Sequence, residues 1–411
     1  MDAERTRPWI IVGGGLAAGR AATTLRDEGF DGRLIVITAE DHNPYERPPL
    51  SKDYLRGETP ADKLQAAEPA FWTSPGTELR KGRRVVDLDA SGHRIGLDDG
   101  TRLDYGKLLI ATGSSPIRFD APGASLDFVH LVRTIDDSDR LRADAANAQT
   151  IAVAGGGWIA AEVAASLRQL GHDVTLIVSG HEVLERHLGP EVGAIYSTTH
   201  ENHGVKLIRG ARVVEVADGP RRGLRLSTGE LVPADLVVLG FGATPNVDLA
   251  RAAGLAVSNG IVADQELRAS APDVFVAGDV ASSWHPRYGK NVRVEHWDNA
   301  RQQGRVAALN MLDRATPYDR VPYFYSDQFD LGMETFGIPG DGELVLRRLL
   351  HGGFDAFWLA DGKVEAAVHG NDWDNSKILR RLVHERVAID RERLADPNIP
   401  LSELAPAQQP A

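Results

Sequence analysis

The stretch Trp9-Ile10-Ile11-Val12-Gly13-Gly14-Gly15-Leu16-Ala17-Ala18-Gly19 decides how the chain folds at its start. A short apolar strand runs into glycines and then into a helix that begins with small residues. Gly13 permits a tight turn, Gly15 lets a pyrophosphate approach the backbone, and Ala18, in place of a third glycine, lets the helix pack closely on the sheet. The stretch therefore predicts a dinucleotide site with phosphates at a helix N-terminus.

The residues that follow complete a βαβ unit. They predict a helix from Arg20 to Arg26 and a strand from Leu34 to Ile37, with Glu40 shortly after the strand. A carboxylate at that place can accept hydrogen bonds from the two hydroxyls of a ribose. The alternative is an ordinary βαβ turn with a solvated Glu40, and a second copy of the pattern argues against it.

The second copy is Gly155-Gly156-Gly157-Trp158-Ile159-Ala160, preceded by the apolar run from Ile151 to Ala154. A helix from Ala161 to Leu170 and a strand from Val174 to Val178 are predicted after it. Two dinucleotide folds in one chain imply two dinucleotides. The second strand ends without a carboxylate at the position of Glu40, and without an arginine that could meet a 2′-phosphate.

Composition narrows the class of protein. The chain has 411 residues, of which 42% are hydrophobic and 25% charged, so two or three ordinary globular domains are expected. The net charge of −12 argues against nucleic-acid binding and against anionic membranes. No apolar run has the length of a membrane span, and no signal peptide is expected near Met1. The absence of cysteine excludes disulfides, thiolate metal sites and a redox-active cysteine pair, and favours the cytoplasm.

Three further segments carry polar groups that suit a nucleotide. The proline-rich run from Asn43 to Lys52 predicts a stiff loop that holds Arg47 and Lys52 near an anionic or electron-rich ligand, or else a solvated basic loop. A strand that closes with Ala111-Thr112-Gly113 is expected to return to the first nucleotide site. A second strand ends at Gly278-Asp279, where the carboxylate can accept hydrogen bonds from a polyol.

The order of the elements predicts an α/β chain with two Rossmann-like dinucleotide-binding domains and a C-terminal α+β domain. Residues 1–117 and 246–320 are predicted to form the first, discontinuous dinucleotide-binding domain. Residues 118–245 are predicted to form the second dinucleotide-binding domain. A helix is predicted from Asp298 to about Leu312, and short alternating strands are predicted from near Pro322. Residues 321–411 are therefore predicted to form the third domain.

Taken together, these motifs resemble the FAD-dependent ferredoxin reductases that serve aromatic-ring dioxygenases and related oxygenases. The similarity covers nearly the whole chain. It depends on Gly13–Ala18, Arg47–Lys52, Ala111–Gly113, Gly155–Glu162, Gly278-Asp279, Glu295–Ala300 and Ser326–Gln328.

The resemblance implies FAD in the first site and NADH, with NADPH as the alternative, in the second; no metal is implied. Lys52 and Glu162 are the expected catalytic pair, with the Lys52 cation near the reactive edge of the flavin. The alternative for Glu162 is a surface carboxylate. The expected FAD contacts are Gly13, Gly15, Ala17, Ala18, Glu40, Arg47, Lys52, Val85, Thr112, Gly113, Arg133, Asp279, Trp297 and Tyr325. The expected NAD(P)H contacts are Gly155, Gly157, Trp158, Ile159, Glu162 and Gly242.

Two positions depart from the family pattern. The family usually has an acidic residue where Val178 stands, to bind the ribose of NADH, so the donor preference stays open. An aromatic residue near the flavin, often tryptophan, is Tyr325 here, and tyrosine can still stack.

The resemblance implies electron transfer from NAD(P)H through FAD to a small ferredoxin, with a cytochrome P450 or a dioxygenase downstream. The alternative is a slow-turnover NADH-sensing flavoprotein that resembles apoptosis-inducing factor. Ferredoxins of this kind are acidic, so docking requires a local basic patch. Arg301 and Arg305, four residues apart on the helix after Trp297, are the candidates, with Lys290 and Arg293 upstream. The alternative is a solvated helix face.

Overall fold

The computed structural model describes residues 7–340, 342–350 and 352–405. The chain divides into two compact units. The first comprises residues 7–48, 60–115 and 243–320, and the second comprises residues 49–59, 116–242 and 321–405. The three predicted domain ranges stay predictions, and their outer ends, residues 1–6 and 406–411, lie outside the described residues.

The strands, in chain order, have the following bounds. The first group is β1 Trp9–Val12, β2 Leu34–Ile37, β3 Thr77–Arg80, β4 Val85–Asp89, β5 Arg94–Leu97, β6 Arg102–Asp104, β7 Leu108–Ile110, β8 Ser114–Pro116 and β9 Val129–His130. The second group is β10 Thr150–Ala154, β11 Asp173–Ile177, β12 Lys206–Ile208, β13 Val213–Ala217, β14 Gly223–Leu226, β15 Leu231–Pro233, β16 Leu236–Leu239, β17 Ala243–Pro245 and β18 Val257–Ser258. The third group is β19 Gly260–Ala263, β20 Val274–Val276, β21 Ala281–His285, β22 Lys290–Val292, β23 Tyr323–Gln328, β24 Leu331–Phe336, β25 Glu343–Arg348, β26 Phe354–Ala360 and β27 Lys363–Gly370.

The α-helices are α1 Leu16–Asp27, α2 Ile135–Ala145, α3 Trp158–Gln169, α4 Glu185–Asn202, α5 Asp248–Ala252, α6 Trp297–Met311, α7 Ser376–His384, α8 Arg391–Ala395 and α9 Leu401–Leu404. Short 3₁₀ helices cover Pro48–Ser51, Ala61–Leu64, Pro69–Thr73 and Trp373–Asn375. Helix α4 is interrupted at Gly189, which has a φ of 79° and precedes Pro190.

A parallel sheet with the strand order β20-β7-β1-β2-β3 forms the centre of the first unit. Its inner strands β2 and β7 are buried at every residue, as expected for a parallel sheet covered on both faces. Helix α1 packs against helix α6 at Gly304, where a Cβ atom would lie 2.4 Å from the Ala17 carbonyl oxygen. Both helices therefore depend on small residues for their close approach.

Two smaller antiparallel or mixed sheets extend the first unit. Strands β4, β5 and β6 form an antiparallel sheet, and β18, β19, β21 and β22 form a second one that contains one parallel pair. Apolar side chains of these strands pack with one face of the parallel sheet in a shared core that includes Ile10, Leu88, Ile95 and Ile261.

The second unit repeats the parallel arrangement, with the strand order β12-β11-β10-β16-β9. A three-stranded antiparallel sheet, β13-β14-β15, contributes to the same core. The C-terminal part of this unit is a five-stranded antiparallel sheet, β23-β24-β27-β26-β25, with α7 packed on its apolar face through Leu379, Leu382 and Val383.

The predicted fold class is confirmed: two parallel dinucleotide-type sheets and a C-terminal α+β part are present. The predicted helices begin later than the observed ones, because Gly15 and Gly157 are the N-cap residues and the next residue is already helical. The predicted stiff loop contains one 3₁₀ turn, Pro48–Ser51, since the fixed φ of proline suits a first helical turn. None of the helices in the described part of the chain combines the length and apolar character of a membrane span.

Candidate functional site

The first glycine turn is shaped by the protein's own packing. Gly13 has a φ of 144°, and a Cβ atom there would lie 2.1 Å from the Ala111 carbonyl oxygen. A Cβ atom on Gly14 would lie 2.0 Å from the Thr38 hydroxyl oxygen. Both glycines are therefore required by neighbouring protein atoms, which press the turn against the sheet.

Gly15 is different, because the protein leaves space beside it. It is the N-cap of α1, its φ of −98° suits any residue, and the nearest atom to a Cβ there would be Arg47 Nε at 4.0 Å. Glycine has no side chain to cap the free N–H groups of the helix. An open space in front of N–H groups that no side chain caps fits a pyrophosphate, so the turn has the geometry of a nucleotide cradle.

Glu40 lies after β2 and is engaged by two side chains. Its Oε1 atom accepts a hydrogen bond from Arg47 at 2.6 Å, and its Oε2 atom accepts one from the Tyr45 hydroxyl. Arg47 also donates to Tyr45 Oη at 2.9 Å. Burial lowers the pKa of Arg47, but Tyr45 and Glu40 outweigh it and the net pKa is raised. The two predicted contacts Glu40 and Arg47 are thus held together as one ion pair.

Polar groups of two strand ends meet near Asp279. The Thr112 hydroxyl donates to the Asn246 carbonyl at 2.9 Å, and the Asn246 N–H donates to the Gly113 carbonyl at 3.0 Å. The Ser114 hydroxyl donates to Asp279 Oδ2 at 3.0 Å. Strands β7 and β20 are parallel neighbours, which brings Thr112, Gly113 and Asp279 to the same sheet edge.

The loop and helix after Asp279 are tied to this edge. Buried Gln303 accepts a hydrogen bond from the Gly278 N–H at 2.9 Å, so it positions the turn that carries Asp279. Trp297 begins α6, and the Arg301 guanidinium lies 5.3 Å from the centre of its ring. Burial raises the pKa of Glu46, against the opposing effects of Trp297 and Arg301. Val85, another predicted contact, begins β4 and lies in the core.

The glycines of the second turn differ from each other in the same way as those of the first. A Cβ atom on Gly155 would lie 2.1 Å from the Gly240 carbonyl oxygen, and its φ is 139°. Gly157 has a φ of −95°, and a Cβ atom there would meet His187 Nε2 at 3.8 Å. Buried Ala160 lies 2.9 Å from a Cβ on Gly240, in agreement with the role of a third small residue. At the second cradle, too, no side chain caps the first N–H groups of the helix, and space is open beside Gly157.

The other predicted contacts of the second cradle lie around it. Trp158 is the first residue of α3, and its ring centre lies 5.7 Å from that of His187. Ile159 is 45% exposed, so it is available to a ligand. Gly242 has a φ of 102°, and its carbonyl accepts a hydrogen bond from the Ile117 N–H at 2.9 Å.

Lys52 and Glu162 form a buried ion pair in the second unit. Lys52 Nζ lies 3.3 Å from Glu162 Oε1, and the residues are 6% and 3% exposed. Ser326 donates to the same oxygen at 2.7 Å, and Ser51 donates to Oε2 at 2.5 Å. Three donors compensate the buried carboxylate, so Glu162 holds the Lys52 ammonium at a defined place.

A chain of hydrogen bonds continues from this pair to a buried histidine. Gln328 Nε2 donates to Ser326 Oγ at 3.2 Å, and Gln328 Oε1 lies 2.9 Å from His200 Nε2. His200 therefore carries its proton on Nε2, because the amide oxygen of Gln328 can only accept. Burial lowers the pKa of His200, so the ring stays neutral.

The remaining predicted FAD contacts of the second unit are Tyr325 and Arg133. The Lys52 ammonium lies 5.4 Å from the centre of the Tyr325 ring, so a cation–π contact fixes the lysine from a further side. The Arg133 N–H donates to Asp137 at 3.1 Å, just before α2. Within the described ranges, no group of three or more His, Asp or Glu side chains is arranged to hold a metal ion.

Sequence reasoning missed several residues that position the predicted ones. These are Tyr45 beside Glu40, Gln303 behind Gly278, and Ser51, Ser326, Gln328 and His200 around Glu162. Ser51 and Ser326 lie inside motifs already singled out, so their motifs were an available signal. Gln303 and His200 carry no local signal, because each acts through a residue distant in the chain.

Comparison with known proteins agrees with this geometry. Residues 7–304 match the family described as pyridine nucleotide-disulphide oxidoreductase, and residues 323–405 match the reductase C-terminal family. The chain is 38% identical to the 5,5'-dehydrodivanillate O-demethylase ferredoxin reductase subunit of Sphingobium sp., over 97% of this chain and 98% of that protein. It is 38% identical to the anthranilate 1,2-dioxygenase system ferredoxin–NAD(+) reductase component of Burkholderia cepacia, over 96% and 98% of the two chains.

Solved structures give the same result. The ferredoxin reductase for the CYP199A2 system from Rhodopseudomonas palustris superposes with a TM-score of 0.91 at 34% identity, covering 97% of this chain and 100% of that one. The covalent putidaredoxin reductase–putidaredoxin complex matches with a TM-score of 0.92 at 31% identity, over 97% and 98%. The resemblance to ferredoxin reductases is thus confirmed, and the chain belongs to the pyridine nucleotide-disulphide oxidoreductase family, with a reductase C-terminal domain.

Proposed function

We propose that this chain is an NADH-dependent, FAD-containing ferredoxin reductase that supplies electrons to a monooxygenase or dioxygenase. The observation that carries the proposal is the presence of two open glycine cradles in a chain without cysteine. Electrons that pass between two bound dinucleotides have no thiol to reduce here, so they leave to a separate acceptor. The relatives named above, which belong to demethylase and dioxygenase systems, support an iron–sulfur ferredoxin as that acceptor.

FAD fits the cradle at Gly15. The free N–H groups of α1 would hold the pyrophosphate, and Glu40, neutralised by Arg47, would accept from the adenosine ribose. Asp279, at the same sheet edge as Thr112 and Gly113, would accept hydrogen bonds from the ribityl hydroxyls. When bound, FAD connects a two-electron donor to a one-electron acceptor.

The buried Lys52–Glu162 pair is the proposed catalytic pair. A fixed ammonium stabilises negative charge that develops on an electron-rich ring, because it needs no reorganisation during the reaction. Glu162, Ser51, Ser326 and Tyr325 keep that ammonium in place. The pyridine nucleotide would lie with its phosphates at Gly157, and we expect NADH to be the preferred donor.

The docking surface for ferredoxin is proposed on α6. Arg301 and Arg305 are both exposed, while Val306 and Ala307 on the other side of the helix are buried. An acidic partner would be attracted to this face, mainly by a faster association rate that salt screens. We also expect the protein to act in the cytoplasm, an expectation that rests on its composition.

Purified protein tests the proposal directly. It should be yellow, with about one FAD per chain, because FAD is proposed at the Gly15 cradle and the pyridine nucleotide at the Gly157 cradle. NADH should bleach the flavin. Turnover with a plant-type or vertebrate-type [2Fe–2S] ferredoxin should then be measured beside turnover with ferricyanide. A colourless protein that takes up no FAD would refute the proposal. Slow turnover with every acceptor, after rapid reduction by NADH, would instead identify the NADH-sensing alternative.

A further inference from the structure

The two βαβ units of this chain can be compared residue by residue through their strand pairing. Val12 pairs with Ile37 in the first unit, and Ala154 pairs with Ile177 in the second. Glu40 is three residues beyond Ile37, so its counterpart in the second unit is Gly180. The second strand therefore ends with no side chain at the place where the first presents a carboxylate.

Another carboxylate occupies that place. A Cβ atom built on Gly180 would lie 2.6 Å from Oε2 of Glu185, the first residue of α4. With bond lengths near 1.5 Å, the Cβ atom of a glutamate lies about 3 Å from its own carboxylate, so the two distances are similar. The Glu185 carboxylate thus lies in the space that a side chain at position 180 would occupy.

The Glu185 carboxylate is held in an ionised, oriented state. Its Oε2 atom accepts hydrogen bonds from the backbone N–H groups of His181 at 2.7 Å and Glu182 at 3.1 Å. These bonds lower the pKa of Glu185, so it is charged at neutral pH. Its Oε1 atom receives no hydrogen bond from the described residues and can accept one from a ligand hydroxyl.

The loop that carries Glu185 is attached to the glycine turn itself. The Leu184 N–H donates to the Gly156 carbonyl at 2.9 Å, and His187 Nε2 lies 3.8 Å from the position of a Cβ on Gly157. Leu184 has a φ of 61°, a left-handed conformation that turns the chain sharply before Glu185. The loop that carries Glu185 therefore lies directly beside the second cradle.

The ion pairs around this loop distinguish Glu185 from Glu182. Glu182 Oε2 lies 3.8 Å from Arg209 Nε, and Nη1 of the same guanidinium pairs with Glu201. Glu185 makes no ion pair within the part of the chain that the structure describes. Arg186, the next residue in the chain, is exposed and is the cation that follows Glu185 on this loop.

We propose that Glu185 is the specificity-determining residue for the pyridine nucleotide, because it supplies the carboxylate that the strand end lacks at both Val178 and Gly180. Its carboxylate accepts from the 2′-hydroxyl of NADH and repels the 2′-phosphate of NADPH, which carries about −1.5 to −2 charges. Buried Val178 leaves the strand end itself neutral. This inference rests on the proposed function, because it requires a pyridine nucleotide at Gly157.

The test is isothermal titration of the oxidised holoenzyme with NAD⁺ and with NADP⁺. Glu185→Gln keeps an oxygen for the two backbone bonds and removes the charge. It should raise NADP⁺ affinity roughly tenfold while changing NAD⁺ affinity less than threefold. Glu185→Lys should raise NADP⁺ affinity further. Val178→Glu, which adds a charge at the strand end, should weaken NADP⁺ binding. Glu182→Gln is the matched control, since its charge is paired with Arg209, and should leave the affinity ratio within twofold.

Two results would overturn the inference. One is an affinity ratio that Glu185→Gln does not change. The other is a wild-type protein that prefers NADP⁺ and loses this preference in Arg186→Gln, which would make Arg186 the selecting residue. Failure of the wild type to bind either nucleotide would instead refute the proposed function, so the two failures are distinguishable.

Discussion

Each turn contains a glycine that is pressed against neighbouring atoms and a glycine with open space beside it. Substitutions at the two kinds of glycine should therefore affect folding and ligand binding separately. At Gly157 the backbone conformation suits alanine, with φ −95° and ψ −179°, and the nearest atom to a new Cβ lies at 3.8 Å. Gly157→Ala should therefore fold normally, and its stability should be unchanged or rise by up to about 1 kcal/mol, because alanine reduces the entropy of the unfolded chain. Gly155→Ala should be poorly folded, since its Cβ would lie 2.1 Å from the Gly240 carbonyl oxygen.

Gly157→Ala should strongly weaken ligand binding although it leaves the fold intact. The added methyl group occupies the space in which a phosphate oxygen meets the free N–H groups of α3. Losing one or two hydrogen bonds to a charged phosphate costs roughly 2–4 kcal/mol. The dissociation constant for NADH should therefore rise about 30- to 1000-fold. FAD content should stay at the wild-type level, because the FAD cradle lies at Gly15.

Differential scanning fluorimetry, flavin absorbance and isothermal titration together measure these three quantities. Gly15→Ala is the matched variant: it should keep the fold and the second cradle but lose FAD. The reasoning is refuted if Gly157→Ala binds NADH as the wild type does. It is also refuted if Gly157→Ala is destabilised as strongly as Gly155→Ala, because the space beside Gly157 would then serve packing.

Lys52→Met should retain FAD and slow flavin reduction by NADH about 10²-fold in stopped-flow absorbance, because a fixed charge beside the reacting ring is lost. Lys52→Arg should recover part of that rate. An unchanged rate in Lys52→Met would show that Lys52 has no role in the mechanism. Reversal of Arg301 and Arg305 to glutamate should raise the apparent KM for ferredoxin, most at low ionic strength, and change ferricyanide turnover much less; equal loss with both acceptors would mean that the flavin domain is damaged. Burial and the neighbouring Asp372 carboxylate raise the pKa of Asp355 from 3.8 to about 8. The folded protein thus keeps a proton there that the unfolded chain releases, so stability should fall by up to roughly 5 kcal/mol as pH rises from 4 to 8, and Asp355→Asn should flatten that part of a urea-denaturation pH series.

The regular elements followed closely from local sequence. The strand Leu34–Ile37 has the predicted bounds, because a continuous apolar run between turn residues is typical of a buried parallel strand. The helix starts were predicted less accurately, because the position of the N-cap depends on how the preceding turn packs. Gly15 and Gly157 became N-caps because the preceding glycines are pressed against Ala111 and Gly240.

The candidate site was predicted in part. The Lys52–Glu162 pair, which joins residues 110 apart in sequence, was implied by resemblance and is present in the structure. Its serine donors Ser51 and Ser326 were not predicted, although a buried carboxylate must find such partners. The need for donors is a general rule, but their identity depends on which strand and helix meet.

The sequence by itself determined the two glycine turns and the parallel sheets, because these depend on backbone geometry and on apolar periodicity over short stretches. Only the tertiary structure decided which charges are neutralised and which act. Glu40 is paired with Arg47, Glu182 lies beside Arg209, and Glu185 fills the place left by Gly180. The physical reason is that electrostatic and hydrogen-bond energies depend on distances of a few ångströms between atoms, and only folding brings those atoms together.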